Sequence, residues 1–179
     1  MNRCRFSIPN DIWKWNLKPQ GFAVLVYLCY LHVHCKNYIA PSAEEIAFRL
    51  HMSKGMAAEQ ISELNHRGLL DQHMVPVFKN TSKNFFSLPN EIFQLGLNAG
   101  ELSVYCFLRR YENHRTHQCW PSIRTIGEAV GMSENTVLHE GDEIIITVPE
   151  PELSVIHEEL VYAEESYDAP VQYVDAVSY

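Results

Sequence analysis

Residues 6–12 read FSIPNDI and residues 86–92 read FSLPNEI, two versions of one motif that lie 80 residues apart. The same offset aligns later positions without a gap. These include Leu17 with Leu97, Pro41-Ser42 with Pro121-Ser122, and Met52-Ser53 with Met132-Ser133. A single register held from residue 6 to residue 53 indicates that one structural unit occurs twice. Because two units are too few for a solenoid, we expect a duplicated small domain.

Each copy predicts three helices. The first follows from a continuously apolar run, and the predicted ranges are Pro19–Cys35 and Ala99–His114. The second has apolar residues at i, i+3 and i+4 spacing after a serine suited to cap it, Ser42 or Ser122. A tight turn then leads to the third helix, which begins after Ser53 or Ser133. Two short helices around a tight turn are typical of a helix-turn-helix, whose second helix enters a major groove of DNA.

Copy one also predicts a wing after its third helix. That helix has an apolar inner stripe of Ala57, Ile61 and Leu64. Gly68 follows as a typical C-cap. The apolar residues between Leu69 and Phe78 predict two short strands around Pro76, and an extended run follows over Asn84–Leu88. Three helices followed by a β-ribbon describe a winged helix-turn-helix.

The second copy resembles a family of bacterial winged helix-turn-helix proteins carried by plasmids and integrative elements, similar to the N-terminal domains of replication initiators. The residues that carry the resemblance are FFSLPNEIF (85–93), LNAGE (97–101), THQCWPS (116–122) and IGEAVGMSENTV (126–137). The likeness is strong over 85–138 and fainter over 6–70. It implies DNA binding in replication initiation or transcription control of a mobile element, with no catalytic residues.

Copy two departs from that family after Val137. Gly141 occupies the position that matches Ile61 of copy one, and Val148 the position that matches Gly68. The sequence therefore predicts a second recognition helix that is cut off near His139, without the family wing.

Charge is distributed unevenly along the chain. The net charge is −8, yet all 14 Lys and Arg residues precede residue 140, together with 11 of the 22 acidic residues. Residues 1–139 therefore carry +3, and residues 140–179 carry −11. We predict a first winged helix-turn-helix unit over 1–80, a second, truncated unit over 81–139, and an acidic extension over 140–179.

The predicted DNA contacts lie on the two third helices, on the wing and on the second helix of copy two. In copy one they are Ser53, Lys54, Gln60, Asn65, Arg67, Lys79 and Lys83. In copy two they are Arg124, Ser133, Asn135 and Thr136. Because Glu59 and Glu134 lie among them, we expect modest affinity that salt weakens easily. The two copies either mimic a dimer, with helices about one DNA turn (~34 Å) apart, or pack together as a scaffold.

The acidic extension leaves three alternatives open. It is a solvated surface, or it folds over the basic face as a DNA mimic that inhibits the protein, or its strands replace the missing wing. Its composition predicts strands over 144–148 and 171–177.

Several other classes of protein are disfavoured. No stretch reaches the roughly 20 apolar residues that span a bilayer, and the N-terminus has no apolar signal region. Five cysteines without framework spacing predict a reducing cytoplasm. The His and Cys residues over 29–35 and 114–119 lack the paired spacing of a structural zinc site, and no nucleophile has an orienting partner. The aromatic residues Trp13, Trp15, Phe22 and Trp120 are expected to pack in the core.

The sequence thus predicts a mainly α (α+β) protein, a tandem winged helix-turn-helix repeat with an acidic, partly β C-terminal extension. The predicted function is non-enzymatic binding of double-stranded DNA, without metal, other cofactor or membrane. The alternative is a protein-interaction scaffold with degenerate helix-turn-helix units, whose acidic tail mimics DNA or binds a basic partner. A homodimer is a further possible assembly.

Overall fold

The computed structural model describes residues 5–77, 85–113 and 115–143, which lie within one compact unit, Met1–Ile144. Copy one consists of strand β1 (Arg5–Pro9), a 3-10 helix (Asn10–Trp15) and helices α1 (Pro19–His34), α2 (Ala43–Arg49) and α3 (Lys54–His66). Copy two consists of strand β2 (Phe85–Pro89), a 3-10 helix (Asn90–Gln94) and helices α4 (Ala99–Tyr111), α5 (Ile123–Val130) and α6 (Glu134–Glu143). Every element of copy two begins 80 residues after its counterpart. The prediction of a mainly helical α+β fold is confirmed.

The apolar helices form where the sequence predicts them, with one difference in length. Helix α1 ends within one residue of its predicted end, whereas α4 stops at Tyr111, before the predicted His114. Glu112 takes an extended conformation, and Asn113 pairs with Gln118 in an isolated bridge that turns the chain back. Among the described residues, no helix has the combined length and apolarity needed to cross a membrane.

The two strands pair with each other across the duplication. Strand β1 runs antiparallel to β2, with Phe6 opposite Leu88 and Ile8 opposite Phe86. At the centre Ser7 faces Ser87, its own equivalent in the repeat. An antiparallel ladder centred on two equivalent residues relates the strands by a two-fold rotation, the symmetry of an isologous dimer interface.

Aromatic side chains of the two 3-10 helices repeat this symmetry. Trp13 lies against rings of copy two, and its equivalent, Phe93, lies against the equivalent rings of copy one. The centroid distances are 6.3 Å for Trp13–Phe86, 5.3 Å for Trp13–Phe107, 6.0 Å for Phe93–Phe6 and 5.1 Å for Phe93–Tyr27. Each copy therefore places one aromatic residue in the core of the other.

Most of the buried apolar residues form one cluster shared by both copies. It reaches from Phe6 in β1 to Cys106 in α4 and includes Ile92 and Phe93 from the second 3-10 helix. A smaller cluster joins α4, α5 and α6, and Trp13 packs against it as well. Burying a large apolar side chain contributes about 1.5–3 kcal/mol, so separating the copies would expose much of what stabilises each.

As far as Val77, where the described part of the wing ends, copy one forms a tight turn rather than the predicted pair of strands. The described part contains one isolated bridge, Leu70 with Pro76, and a hydrogen bond from the Val77 amide to the Leu69 carbonyl oxygen at 2.9 Å. Asp71 closes the turn by accepting from the backbone amides of residues 73 and 75, each at 2.8 Å. Pro76 has no amide hydrogen to extend a ladder. The extended run before Leu88 pairs instead with β1.

Three predicted features lie wholly or mostly outside the described residues. These are the connector 78–84 with Lys79 and Lys83, the acidic extension beyond Glu143, and the strands expected over 144–148 and 171–177. The proposed division at residues 80 and 139 stays a prediction.

A disulfide across the centre of the ribbon tests the register. Directly opposite residues of antiparallel strands lie about 4.5–5.5 Å apart at Cα, within the range that a disulfide bridges. We expect Ser7→Cys with Ser87→Cys to form an intrachain disulfide on mild oxidation, detected by mass spectrometry of a non-reduced digest. The single variants serve as controls. Two free thiols, or only interchain disulfides, would contradict the pairing.

Candidate nucleic-acid interface

Both copies contain two helices joined by the same turn. The Met52 amide donates to the Ala47 carbonyl oxygen at 3.0 Å, and the Met132 amide donates to the Gly127 carbonyl oxygen at 3.0 Å. The residue before each methionine has a left-handed backbone conformation, with φ of +50° at His51 and +70° at Gly131. Glycine adopts this conformation without strain, whereas histidine pays a steric cost. The second copy therefore has the more favourable residue for the turn.

Gly127 allows α5 to pack closely on the turn that precedes α6. An ideal Cβ at this position would lie 2.7 Å from the Met132 carbonyl oxygen and 3.6 Å from a methyl group of Val137. Val137 is buried on the inner side of α6. The short α5–α6 contact fixes the angle at which α6 is presented.

Serine caps fix the start of each third helix, as predicted. Ser53 Oγ accepts from the Met56 amide at 3.1 Å, and Ser133 Oγ accepts from the Thr136 amide at 3.2 Å. The hydroxyls of Ser133 and Thr136 also share a hydrogen bond of 2.7 Å. Any hydrogen bond that these hydroxyls make with DNA must use a donor or acceptor site that capping leaves free.

Two of the three DNA contacts predicted on α3 are exposed to solvent, and the third is buried. Lys54 and Asn65 are exposed, but Gln60 is only 8% exposed. Its amide nitrogen lies 3.7 Å from Met56 Sδ, and an ideal Cβ on Gly21 of α1 would lie 2.9 Å from its carbonyl oxygen. Gln60 therefore packs between α3 and α1, and its prediction as a DNA contact is wrong.

Arg67 ties the end of α3 to the end of the first 3-10 helix. Its guanidinium donates to the Trp15 carbonyl oxygen. The αL conformation of Gly68, φ of +68°, confirms the predicted C-cap of this helix. The hydrogen bond to Trp15 holds the end of α3 in place. Arg67 itself remains exposed to solvent.

Both predicted cations of the helix-turn-helix helices are paired with carboxylates. Lys54 Nζ lies 3.0 Å from Glu44 Oε2 on α2, and Arg124 Nε lies 2.9 Å from Glu128 Oε1, one turn further along α5. All four side chains are mostly exposed. Exposed pairs of this kind are worth about 0–1 kcal/mol, so a phosphate group is able to displace the carboxylate.

Helix α6 continues beyond the predicted stop at His139. It passes through Gly141 and is described as far as Glu143. A single glycine costs a helix interior about 1 kcal/mol and does not by itself end it. Asn135 and Thr136 are exposed in the first turn of α6, beside Ser133, where recognition helices contact DNA.

Large apolar side chains are exposed on both units, a feature that the sequence analysis missed. Phe48 of α2 is 83% exposed, and Trp120, just before α5, is 86% exposed. The expectation that Trp120 packs in the core is wrong, whereas Trp13 and Phe22 stack on each other with ring centroids 4.7 Å apart. Phe48 follows the buried pair Ile46-Ala47, so helical spacing already places it on another side of α2.

Three of the four described cysteines have thiols whose pKa is raised. Burial raises the pKa of Cys29 and Cys106 well above the ordinary range of a thiol. Burial and the Glu112 carboxylate raise the pKa of Cys119. A protonated thiol is a poor nucleophile and metal ligand. No three His, Cys, Asp or Glu side chains among the described residues cluster closely enough to hold a metal ion.

Residues 95–139 match the model of a protein family described as "Helix-turn-helix domain". The chain carries a helix-turn-helix domain. It comprises α4, α5 and the first turns of α6, and it supports assignment to the DNA-binding class. The match ends at His139, near the point where the acidic stretch of the sequence begins. Neither the curated proteins nor the solved structures contain a match to the chain.

Adding one methyl group to Gly127 tests the close packing of α5 on the turn. We expect Gly127→Ala to lower the free energy of unfolding by about 1–3 kcal/mol, because its Cβ has no room beside the Met132 carbonyl. Gly55→Ala is the matched control, since nothing lies within 4 Å of its Cβ. That control should be neutral or stabilising by up to about 1 kcal/mol. Urea unfolding measures both, and equal effects would contradict the packing.

Proposed function

We propose that the chain is a non-enzymatic protein that binds double-stranded DNA and controls replication initiation or transcription of a mobile genetic element. The main support is the helix-turn-helix match over 95–139. The same helix–turn geometry at residues 43–66 supports a second, equivalent unit. The mobile-element role rests on the resemblance of residues 85–138 to plasmid-type winged helix-turn-helix proteins.

In this proposal α3 and α6 are the two recognition helices. Lys54 and Arg124 contact phosphates after leaving their carboxylate partners, and Arg67 contacts the backbone from the end of α3. The exposed Asn135 and Thr136 offer hydrogen bonds to base edges from the first turn of α6. Ser53 and Ser133 act by holding the helix starts.

The charge of the helix-turn-helix helices limits the expected affinity. Residues 43–67 contain three Lys or Arg and four acidic residues, and residues 123–138 contain one and two, so each stretch carries −1. Non-specific binding depends mainly on phosphate neutralisation. We therefore expect weak general affinity, and tight binding only where the DNA fits both helices.

A protein-interaction scaffold is the second candidate. The observation that favours it is the exposure of Phe48 and Trp120 beside helix-turn-helix units of slightly negative charge. Large exposed apolar side chains at a protein surface are typical of contact with another protein. The acidic tail would then serve a basic partner.

DNA binding across a salt series separates the two candidates. Fluorescence anisotropy with a mixed-sequence duplex compares the chain with Lys54→Glu/Arg124→Glu. We expect the double variant to lose at least tenfold in affinity and to lower the slope of log K against log salt by about 2. Lys14→Glu/Lys36→Glu makes the same charge change elsewhere and is the control. An equal loss of affinity in both double variants would mean that overall charge, and not contacts by Lys54 and Arg124, accounts for the effect. If the parent chain does not bind DNA at all, the scaffold is favoured.

The same assay tests the acidic extension. We expect a version ending at Glu143, which keeps all of α6, to bind more tightly than the full chain if residues 144–179 compete with DNA. Identical affinities at low salt, where charge effects are largest, would argue against the DNA-mimic hypothesis.

Neutralising the carboxylate beside Lys54 should strengthen DNA binding. Glu44→Gln removes a competitor for the ammonium group and a negative charge near the phosphates. We expect a gain of about 1 kcal/mol, roughly fivefold in affinity at low salt. Glu91→Gln, which removes an exposed charge from the second 3-10 helix, is the matched control. A gain limited to the control, or a loss in Glu44→Gln, would contradict the assignment of Lys54 to a phosphate.

A further inference from the structure

We infer that the DNA site of this protein consists of two half-sites in inverted orientation and of unlike sequence, bound by a single chain. This inference rests on the proposed function. It adds the arrangement of the DNA target, which follows from how the two copies are joined.

The first observation is the strand pairing. A duplicated unit can be repeated by translation or by rotation. Here β1 pairs antiparallel with its own equivalent, and the centre of the ladder is Ser7 opposite Ser87. The residue pairs on either side, Phe6 with Leu88 and Ile8 with Phe86, exchange under the same operation. A translation does not produce this pattern, whereas a two-fold rotation requires it.

The second observation is the reciprocal aromatic packing. Trp13 and Phe93 are equivalent residues, and each lies in the opposite copy at matched distances, 6.3 Å against 6.0 Å and 5.3 Å against 5.1 Å. Two of these contacts join the 3-10 helices to the strands, and the other two join them to Tyr27 of α1 and Phe107 of α4. The two-fold relation therefore extends from the ribbon into the core.

The third observation is that the helix-turn-helix units are held against this core. Gly131, in the turn before α6, lies against the loop of copy one, where an ideal Cβ would be 3.9 Å from the Leu17 carbonyl oxygen. Met52, in the turn before α3, and Leu97, in the loop before α4, each pack against the shared apolar cluster. The two recognition helices thus belong to one folded body. Because every element of copy two begins 80 residues after its counterpart, we extend the two-fold rotation of the cores to α3 and α6.

A two-fold pair of recognition helices reads its half-sites in opposite orientation, as dimeric helix-turn-helix proteins do. In a homodimer the half-sites are alike because the side chains are alike. Here Lys54, Gly55 and Ala58 of α3 correspond to Glu134, Asn135 and Leu138 of α6. The half-sites must therefore differ in sequence, and one chain binds the whole site in one direction only.

A variant in which the two recognition helices carry the same exposed residues tests the orientation of the half-sites. Its half-sites should be alike in sequence, so the selected site shows directly whether they are inverted or direct repeats. The variant Glu134→Lys/Asn135→Gly/Leu138→Ala gives α6 three of the exposed residues of α3, from its first two turns. Selection from a random duplex library, with the full chain and with this variant, reports the preferred sites. We expect two unlike blocks at fixed spacing for the parent chain and a near-perfect inverted repeat for the variant. A direct repeat would overturn the inference.

Two further measurements keep the inference testable if that variant does not fold. The reciprocal variant, Gly55→Asn/Ala58→Leu, which keeps the Lys54 phosphate contact, should also shift the site towards an inverted repeat. Native mass spectrometry of the parent chain on its selected duplex should show one chain bound to two blocks. Two chains on such a site, or a single-block site, would overturn the inference while leaving DNA binding intact. Failure to select any site above background would instead count against the proposed function.

Discussion

The antiparallel pairing of β1 with β2 is the interaction on which the rest of the structure depends. A two-stranded ribbon of five residues per strand is marginally stable by itself in water. Here its inner face is formed by Phe6, Ile8, Phe86 and Leu88, all buried. Because each strand belongs to a different copy, neither copy completes its core alone, and the duplication acts as one folded body rather than two linked domains.

Much of the local structure could be predicted because its causes are local. Apolar spacing and serine caps placed α2, α3 and α5, and the 80-residue offset carried each assignment from one copy to the other. The exchange of Trp13 and Phe93 between copies could not be predicted in the same way. It depends on which surfaces meet in three dimensions, and hydrophobic periodicity indicates only that a residue is buried, not against what.

The errors at the site have equally physical causes. Gln60 lies three residues after Ala57 and four before Leu64, so its spacing places it on the inner side of α3, although an amide side chain is a type that contacts DNA. Trp120 is of a residue type common in cores, but it lies in the loop before α5, where it is exposed. The carboxylate next to Arg124 is readable from i, i+4 spacing, but the pairing of Lys54 with Glu44 joins two helices and requires the turn geometry.

The charges of the two units bear directly on how such a protein can bind DNA. In copy one, Glu44 of the second helix and Lys54 of the third helix form an ion pair. The equivalent residues of copy two are Arg124 and Glu134, so the signs of the two charges are exchanged. Neither unit gains a basic surface from this pair, so general attraction to phosphate is small. In the proposed binding mode, two recognition helices on one folded body would compensate, because once one helix is bound the other would meet its half-site at high effective concentration. Specificity then depends on the geometry of the pair more than on either helix alone.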